Sequence, residues 1–414
     1  MEVCVFLRPL VGPTVTFDAL ALGPGLDANR VCIVAEVAPD GAQPRFPGHK
    51  GELARHWVLR GPDAARRTRG LLAAGAVDRA WRCLAAAPPP SDDIPPETPT
   101  FDQAWREPFP AGLGITDALG FPGGSGENVT VVDIEFSWDP THEDLLGSAS
   151  DLGGVQDPQW AFHGTGVVGI LAAGDNGFGV TGVAPGATVL MQAPYFEIEG
   201  GFDYDVARAI ADASAVLSAG DVILIEQQAY GPSGEFVPVS IDEGVRDAIR
   251  VATAAGIVVV EPAANDDVNL DDPSYDGAFT DDTGVLRVGG GASSFAPLPR
   301  ERFGSDFGSL VRVQGWSEDI VTTCGVPYTD LYFPEEDPRQ AYTSAFGGTS
   351  GASAMVAGVV AVVQSVAVAT RGGPLSPADV RVILVESGMA APEGSDPVGA
   401  QPDLRRVLRT WLVP

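Results

Sequence analysis

Four apolar runs recur without alternation between residues 128 and 263: NVTVVDI, TVLMQAPY, DVILIEQQ and GIVVVEPA. Strands buried on both faces read this way, whereas half-solvated strands alternate. Between them lie HGTGVVGILAAG, DVARAIADASAVLSAG and DEGVRDAIRVATAAG, each with helical periodicity and a glycine at or near its end. This order predicts an α/β fold, a mostly parallel sheet with helices on both faces. Ligand sites in such sheets lie at the carboxyl ends of the strands. The longest apolar run, Gly351 to about Thr370, approaches the length of a membrane span. It is built from Ala, Val, Gly and Ser and interrupted by Gln364, so it predicts a buried core helix.

The first ninety residues read differently. Two strand-like runs, VCVFLRPL and RVCIVAEV, precede a helical stretch from about Gly51 to Ala86 that breaks at Gly61-Pro62. The segment PPPSDDIPPETPT is stiff and extended by composition. The expected organisation is a small α+β N-terminal domain over residues 1–87, a Pro-rich linker over 88–99 and the α/β domain over 100–414.

Charge sharpens that division. The chain carries 25 Lys+Arg against 55 Asp+Glu, a net −30, yet residues 1–90 balance at +3 and the remainder at −33. So acidic a body is a poor partner for nucleic acid or an anionic membrane surface. Lys50 is the single lysine; it follows His49 and has Pro47 three residues before it. A Walker A loop and a Ser-x-x-Lys hydrolase are therefore both excluded. Cys4, Cys32, Cys83 and Cys324 form no C-x-x-C pair, so zinc and thiol-redox sites have no support. Cys4 and Cys32 both sit in strand-like runs, where a disulfide competes with buried free thiols. The start MEVCVFLRPLVG has an acid at position 2 and no basic n-region, so neither a signal peptide nor a transmembrane helix is expected. The compartment stays open.

Three polar residues stand at junctions of the predicted sheet. Asp133 ends NVTVVDI, His163 opens HGTGVVG, and Ser350 lies where a Gly-rich turn enters the long apolar helix. Acyl transfer uses these types together: the imidazole takes the serine proton, and a carboxylate orients the imidazole and stabilises its charged form. The order Asp…His…Ser is that of subtilisin, and the G-x-S-x-G elbow is absent because Ala352 stands two beyond Ser350. Rivals exist for each role. Asp133 competes with Glu135 and Asp139, and His163 competes with His142, which is expected on an exposed acidic turn. Ser350 has the plainer role of a helix N-cap.

The segments HGTGVVGILAAGDNGFGVTGVAPGATV, GTSGASAMVAG and VTVVDIEFSWDPTHEDL resemble the histidine, serine and aspartate segments of the subtilisin-like (S8) serine peptidases, in order over roughly residues 100–390. The resemblance implies a serine endopeptidase with Asp133, His163 and Ser350 as its triad and polypeptide as its substrate. GIVVVEPAAND resembles the strand carrying the family's oxyanion asparagine, which makes Asn265 that donor beside the backbone N–H of Ser350. DVILIEQQAYGPSG resembles the substrate-binding strand, so Gln228, Ala229, Tyr230 and Gly231 are expected to pair with an extended substrate.

No cofactor is required by this chemistry. Calcium is a candidate ligand of NDDVNLDDPSYDG, with its five aspartates, because family members often hold it. Many such enzymes also carry an N-terminal inhibitor or folding aid, so residues 1–87 are either an intramolecular partner of the acidic body or an accessory domain. The chain departs from the family at Ile134-Glu135, Ala264, Glu261-Pro262 and Ala354. These departures leave a silent binding scaffold as a competing function, and an esterase or acyltransferase would use the same triad. Glu226 and Glu261, at the ends of neighbouring predicted strands, are candidates to share a proton or line the cleft, against a purely structural pair.

Overall fold

A computed structural model describes residues 26–35, 38, 40, 42–45, 55–60, 62–84 and 98–412. The chain divides into two compact units, residues 1–95 and 96–414.

In the first unit the strands Leu26–Val34, Gln43–Pro44, His56–Arg60 and Arg79–Leu84 form an antiparallel sheet, with the helix Ala64–Ala73 beside it. The expected helical stretch from Gly51 to Ala86 is therefore corrected: only its middle is helical. Its flanks are strands, because Trp57 and Leu59 share one face over Ala35, Ala64 and Val77. The expected run VCVFLRPL, the Cys4 partner of any disulfide and most of the Pro-rich linker lie outside the described residues.

The second unit is built on nine strands. In chain order they are β1 (Thr130–Ile134), β2 (Ala149–Gly153), β3 (Thr188–Gln192), β4 (Val222–Ile225), β5 (Val258–Pro262), β6 (Leu286–Gly291), β7 (Val311–Trp316), β8 (Met389–Ala390) and β9 (Ala400–Gln401). They lie in the order β8-β9-β7-β6-β5-β4-β1-β3-β2, parallel throughout except the short β8–β9 pair. All four unalternating runs are strands of this sheet.

Period-two alternation sends neighbouring side chains to opposite faces. Val131, Val222, Leu224, Val258 and Val260 face α1 (Ala161–Ala172) and α4 (Gly348–Arg371). Val132, Ile134, Ile223, Ile225 and Val259 face α2 (Val206–Val216) and α3 (Glu243–Ala254). Helix α4 is long and apolar enough to cross a bilayer, but most of its length is buried in this core. Its Gln364 is satisfied there, accepting from the Leu375 N–H at 2.8 Å and donating to the Leu375 carbonyl at 3.0 Å.

Candidate active site

The carboxyl ends of β1, β4 and β5 bring the site together, with the first turns of α1 and α4 above them. His163 stands in the first turn of α1, its side chain 28 % exposed. Its Nδ1 meets Oε2 of Glu135 at 2.5 Å, and Glu135 is fully buried. This approach requires a glycine after the histidine. A Cβ on Gly164 would stand 2.2 Å from the Ser137 carbonyl oxygen and 2.6 Å from Cγ of Glu135.

Asp133 does not meet the imidazole. Both its carboxyl oxygens are buried without a hydrogen-bond partner. Positions 133 and 135 point to the same face of β1, but two residues along a strand is about 7 Å. Asp133 therefore stops inside the sheet, and the carboxylate that meets His163 is that of Glu135, just beyond the strand end. Burial, with the charges of Glu135 and Glu226, raises the Asp133 pKa well above the usual carboxylate range, favouring its neutral form.

The rival His142 is buried rather than exposed. Its Nε2 donates to the Ala341 carbonyl at 2.9 Å, and its Nδ1 accepts from the Asp144 N–H at 3.3 Å. Both ring nitrogens are committed to structure, and burial lowers its pKa despite the Ala341 bond and nearby acids.

Ser350 is the third residue of α4, whose N-cap is Gly347. The serine is thus inside the first turn rather than the cap. Its N–H belongs to the group of helix-start donors that have no intrahelical acceptor. Beside His163 opens a cavity of about 480 Å³, walled by Phe162, Phe303, Tyr328 and Phe346 and reaching Gly347 and Gly348. Glu318 and Asp319 also line it.

Asn265 follows β5, after Ala264 in a left-handed conformation (φ 75°). Its Oδ1 accepts from the N–H of Thr349 at 2.9 Å and from the Thr349 hydroxyl at 3.1 Å. That leaves Nδ2 as the outward donor, and it donates to Oε1 of Gln228 at 3.2 Å. The turn is clamped by Asp306, a residue the sequence patterns did not single out. Its Oδ1 accepts from the N–H groups of Asp266 and Val268 at 3.0 and 3.1 Å. Burial pushes the Asp306 pKa up to about 7, against the pull of those two bonds.

Gln228, Ala229 and Tyr230 form a short strand, antiparallel to Phe236–Pro238, and Gly231 starts the turn between them. Gln228 and Tyr230 are exposed, and the strand's second edge has no partner among the described residues.

Glu226 and Glu261 are separated by the sheet. Glu261 shares a face with Val259, while Glu226 shares one with Leu224. Glu261 accepts from Ser240 N–H and hydroxyl at 2.9 Å each and pairs with the buried Arg287 at 3.1 Å. The expectation of a shared proton or a common cleft lining is therefore overturned.

Four of the five aspartates in the loop expected to hold calcium are otherwise engaged. Asp266 accepts from Phe236 N–H, Asp267 pairs with Arg302, Asp271 accepts from Ser309, and Asp272 caps Ser274. Among the described residues no group of three His, Cys, Asp or Glu side chains is arranged to hold a metal. The residues do not fit the ion, and no step involves it.

Known proteins share this architecture. An extracellular protease of Xanthomonas campestris is 28 % identical over 323 residues, 68 % of this chain and 50 % of its own length. The major intracellular serine protease of Bacillus subtilis is 27 % identical over 204 residues, covering 44 % of this chain and 57 % of its own. The chain thus spans about half the length of these curated relatives. A solved protease structure from Pseudoalteromonas arctica superposes with a TM-score of 0.57 at 24 % identity, over 77 % of this chain and 99 % of that one. The model of the subtilase family of peptidases matches residues 124–400, from just before β1 to β9, and this chain belongs to that family.

Proposed function

We propose that the protein is a serine endopeptidase in which Ser350 is the nucleophile, His163 the general base and Glu135, in place of Asp133, the carboxylate that orients the base. The observation that carries this reading is the Glu135–His163 contact, made where the first turns of α1 and α4 converge at the sheet's carboxyl edge. A serine hydroxyl does not attack an amide unaided. As Oγ bonds to the substrate carbonyl carbon, its proton passes to Nε2 of His163 and from there to the leaving amine. Glu135, on Nδ1, fixes the tautomer and stabilises the imidazolium. The oxygen that becomes negative is received by Nδ2 of Asn265 and the N–H of Ser350. Water then repeats the sequence on the acyl-enzyme.

An extended polypeptide is the substrate this site suits, pairing with the free edge of Gln228–Tyr230. The acidic body also gives residues 1–87, with their slight positive balance, a complementary surface in the same chain. The test is labelling by a fluorophosphonate, with peptide cleavage measured in parallel. Wild type is labelled, and Ser350→Ala loses both labelling and turnover, the latter by on the order of a millionfold. A folded wild type that is never labelled turns the reading to a silent scaffold. Labelling with ester but not peptide cleavage turns it to an esterase.

A further inference from the structure

One carboxyl at the site has no place in that scheme. Glu226 follows β4, and its N–H donates to the Ile134 carbonyl at 3.1 Å, which sets it beside Glu135 across neighbouring parallel strands and on the same face. It is buried, 5 % exposed. Its Oε1 accepts from the Ser353 hydroxyl at 2.6 Å, and Ser353 lies 2.9 Å from the Ser350 carbonyl oxygen one turn back in α4. The second oxygen, Oε2, is buried with no aligned partner. Besides Ser353, the hydroxyl that acts on this carboxyl is that of Ser350.

A buried carboxyl left half-satisfied is costly. Asp133 and Asp306 also carry unpartnered oxygens, however, so an open oxygen alone marks no role. Glu226 differs in having the Ser350 hydroxyl act on it. The groups that face Glu226 are Asp133 and Glu135 from β1 and its end, His163 from α1, and Ser350 and Ser353 from α4.

We propose that Glu226 is a further catalytic residue of this site, its Oε2 engaging the Ser350 hydroxyl so that the nucleophile is held between Glu226 and His163. This rests on the peptidase reading for its consequence, though not for the contact itself. The protonation state of Glu226 then decides what the contact does. As an acid, Oε2–H donates to Oγ and occupies the lone pair that must attack. As a carboxylate, Oε2 accepts a hydrogen bond from the hydroxyl and orients Oγ with a lone pair free, until that hydrogen turns to Nε2 of the neutral imidazole as attack begins. Burial pushes the Glu226 pKa up to about 8, aided by Glu135 and opposed by His163, Ser353 and Ser350. The imidazole responds in turn: burial would lower its pKa, but Glu135, through charge and hydrogen bond, and Glu226 together raise it to about 9. The two groups titrate as a coupled pair whose loss of protons readies Ser350.

The test uses the full chain. The titration of His163 is followed by NMR, assigned with His163→Gln, while the rate of fluorophosphonate acylation is measured against pH. Glu226→Gln keeps shape and removes the charge, and it is expected to lower both midpoints by about one pH unit. Glu226→Asp keeps the charge and withdraws the oxygens by one methylene; acylation slows while the midpoint stays near that of wild type. An unchanged His163 midpoint in folded Glu226→Gln overturns the proposal, as does a wild-type acylation rate in Glu226→Asp. The NMR midpoint decides the role of Glu226 even if the protein is never acylated, which would instead refute the peptidase reading.

Discussion

Glu261 and Glu226 occupy equivalent places on opposite sides of one sheet. Each is a buried carboxyl at the carboxyl end of a central strand. Glu261 is surrounded by donors: Ser240 twice and the guanidinium of Arg287, itself 1 % exposed. Both its oxygens are hydrogen-bonded and its charge is paired with that guanidinium. Glu226 has one hydroxyl partner, two further carboxyls and an imidazole as neighbours, and a second oxygen without a partner. Burial alone says nothing about function. What separates the two is whether the chain completes the hydrogen-bonding shell or leaves it open for a reacting group.

The sharpest way to break this comparison is within the open cluster. Glu135→Gln is expected to cost about ten-thousandfold in turnover with the fold intact, because the imidazole loses its tautomer and its counter-charge. Asp133→Asn keeps the shape of a side chain that does not meet the imidazole and should cost less than about tenfold. If the two losses exchange places, the carboxylate role returns to Asp133. On the closed side, Glu261→Ala strands Arg287 in the interior, and thermal or denaturant unfolding should show a loss of about 3–5 kcal/mol. Turnover per folded molecule should be preserved in that variant. A large catalytic defect at full stability would show that the closed carboxyl is not merely structural.

A further test, within the unsubstituted chain, is the dependence on pH. Below a pKa of about 9 the free-enzyme imidazole is protonated and accepts nothing from Ser350. Acylation should therefore rise by up to about tenfold per pH unit and level off near that value. The same raised pKa favours the folded state of the His163–Glu135 pair below the unfolded histidine value of about 6.5, and this contribution fades as pH rises through about 9. A midpoint near neutrality, read from acylation rates, would mean that the acids around His163 do not hold its proton.

The sheet was legible because strands buried on both faces and amphipathic helices leave distinct periods, and all four apolar runs became central strands. His163 and Ser350 were marked by the junctions where they sit, and Asn265 by the resemblance of its segment. The carboxylate was not. Alternation assigns residues 133 and 135 to one face and cannot say which reaches past the strand's end, and a short strand ending at Ile134 settles it in favour of the outer one. In the N-terminal unit, alanine-rich stretches blurred the two periods, and the alternation of Trp57 and Leu59 passed for a helical face. Asp306 was invisible for a different reason: it acts on a turn 40 residues away in sequence, which no local pattern encodes.

The contact between Asn265 and Gln228 has a kinetic meaning. In the free protein the amide that would receive an oxyanion already donates to an exposed glutamine. A substrate carbonyl entering the site exchanges one neutral hydrogen bond for another, which adds little to affinity. Only when the oxygen acquires charge does the exchange become favourable, since bonds to ionised acceptors are roughly twice as strong. Removing Asn265 would then be felt in the rate of the chemical step and hardly in the concentration of substrate needed to reach it.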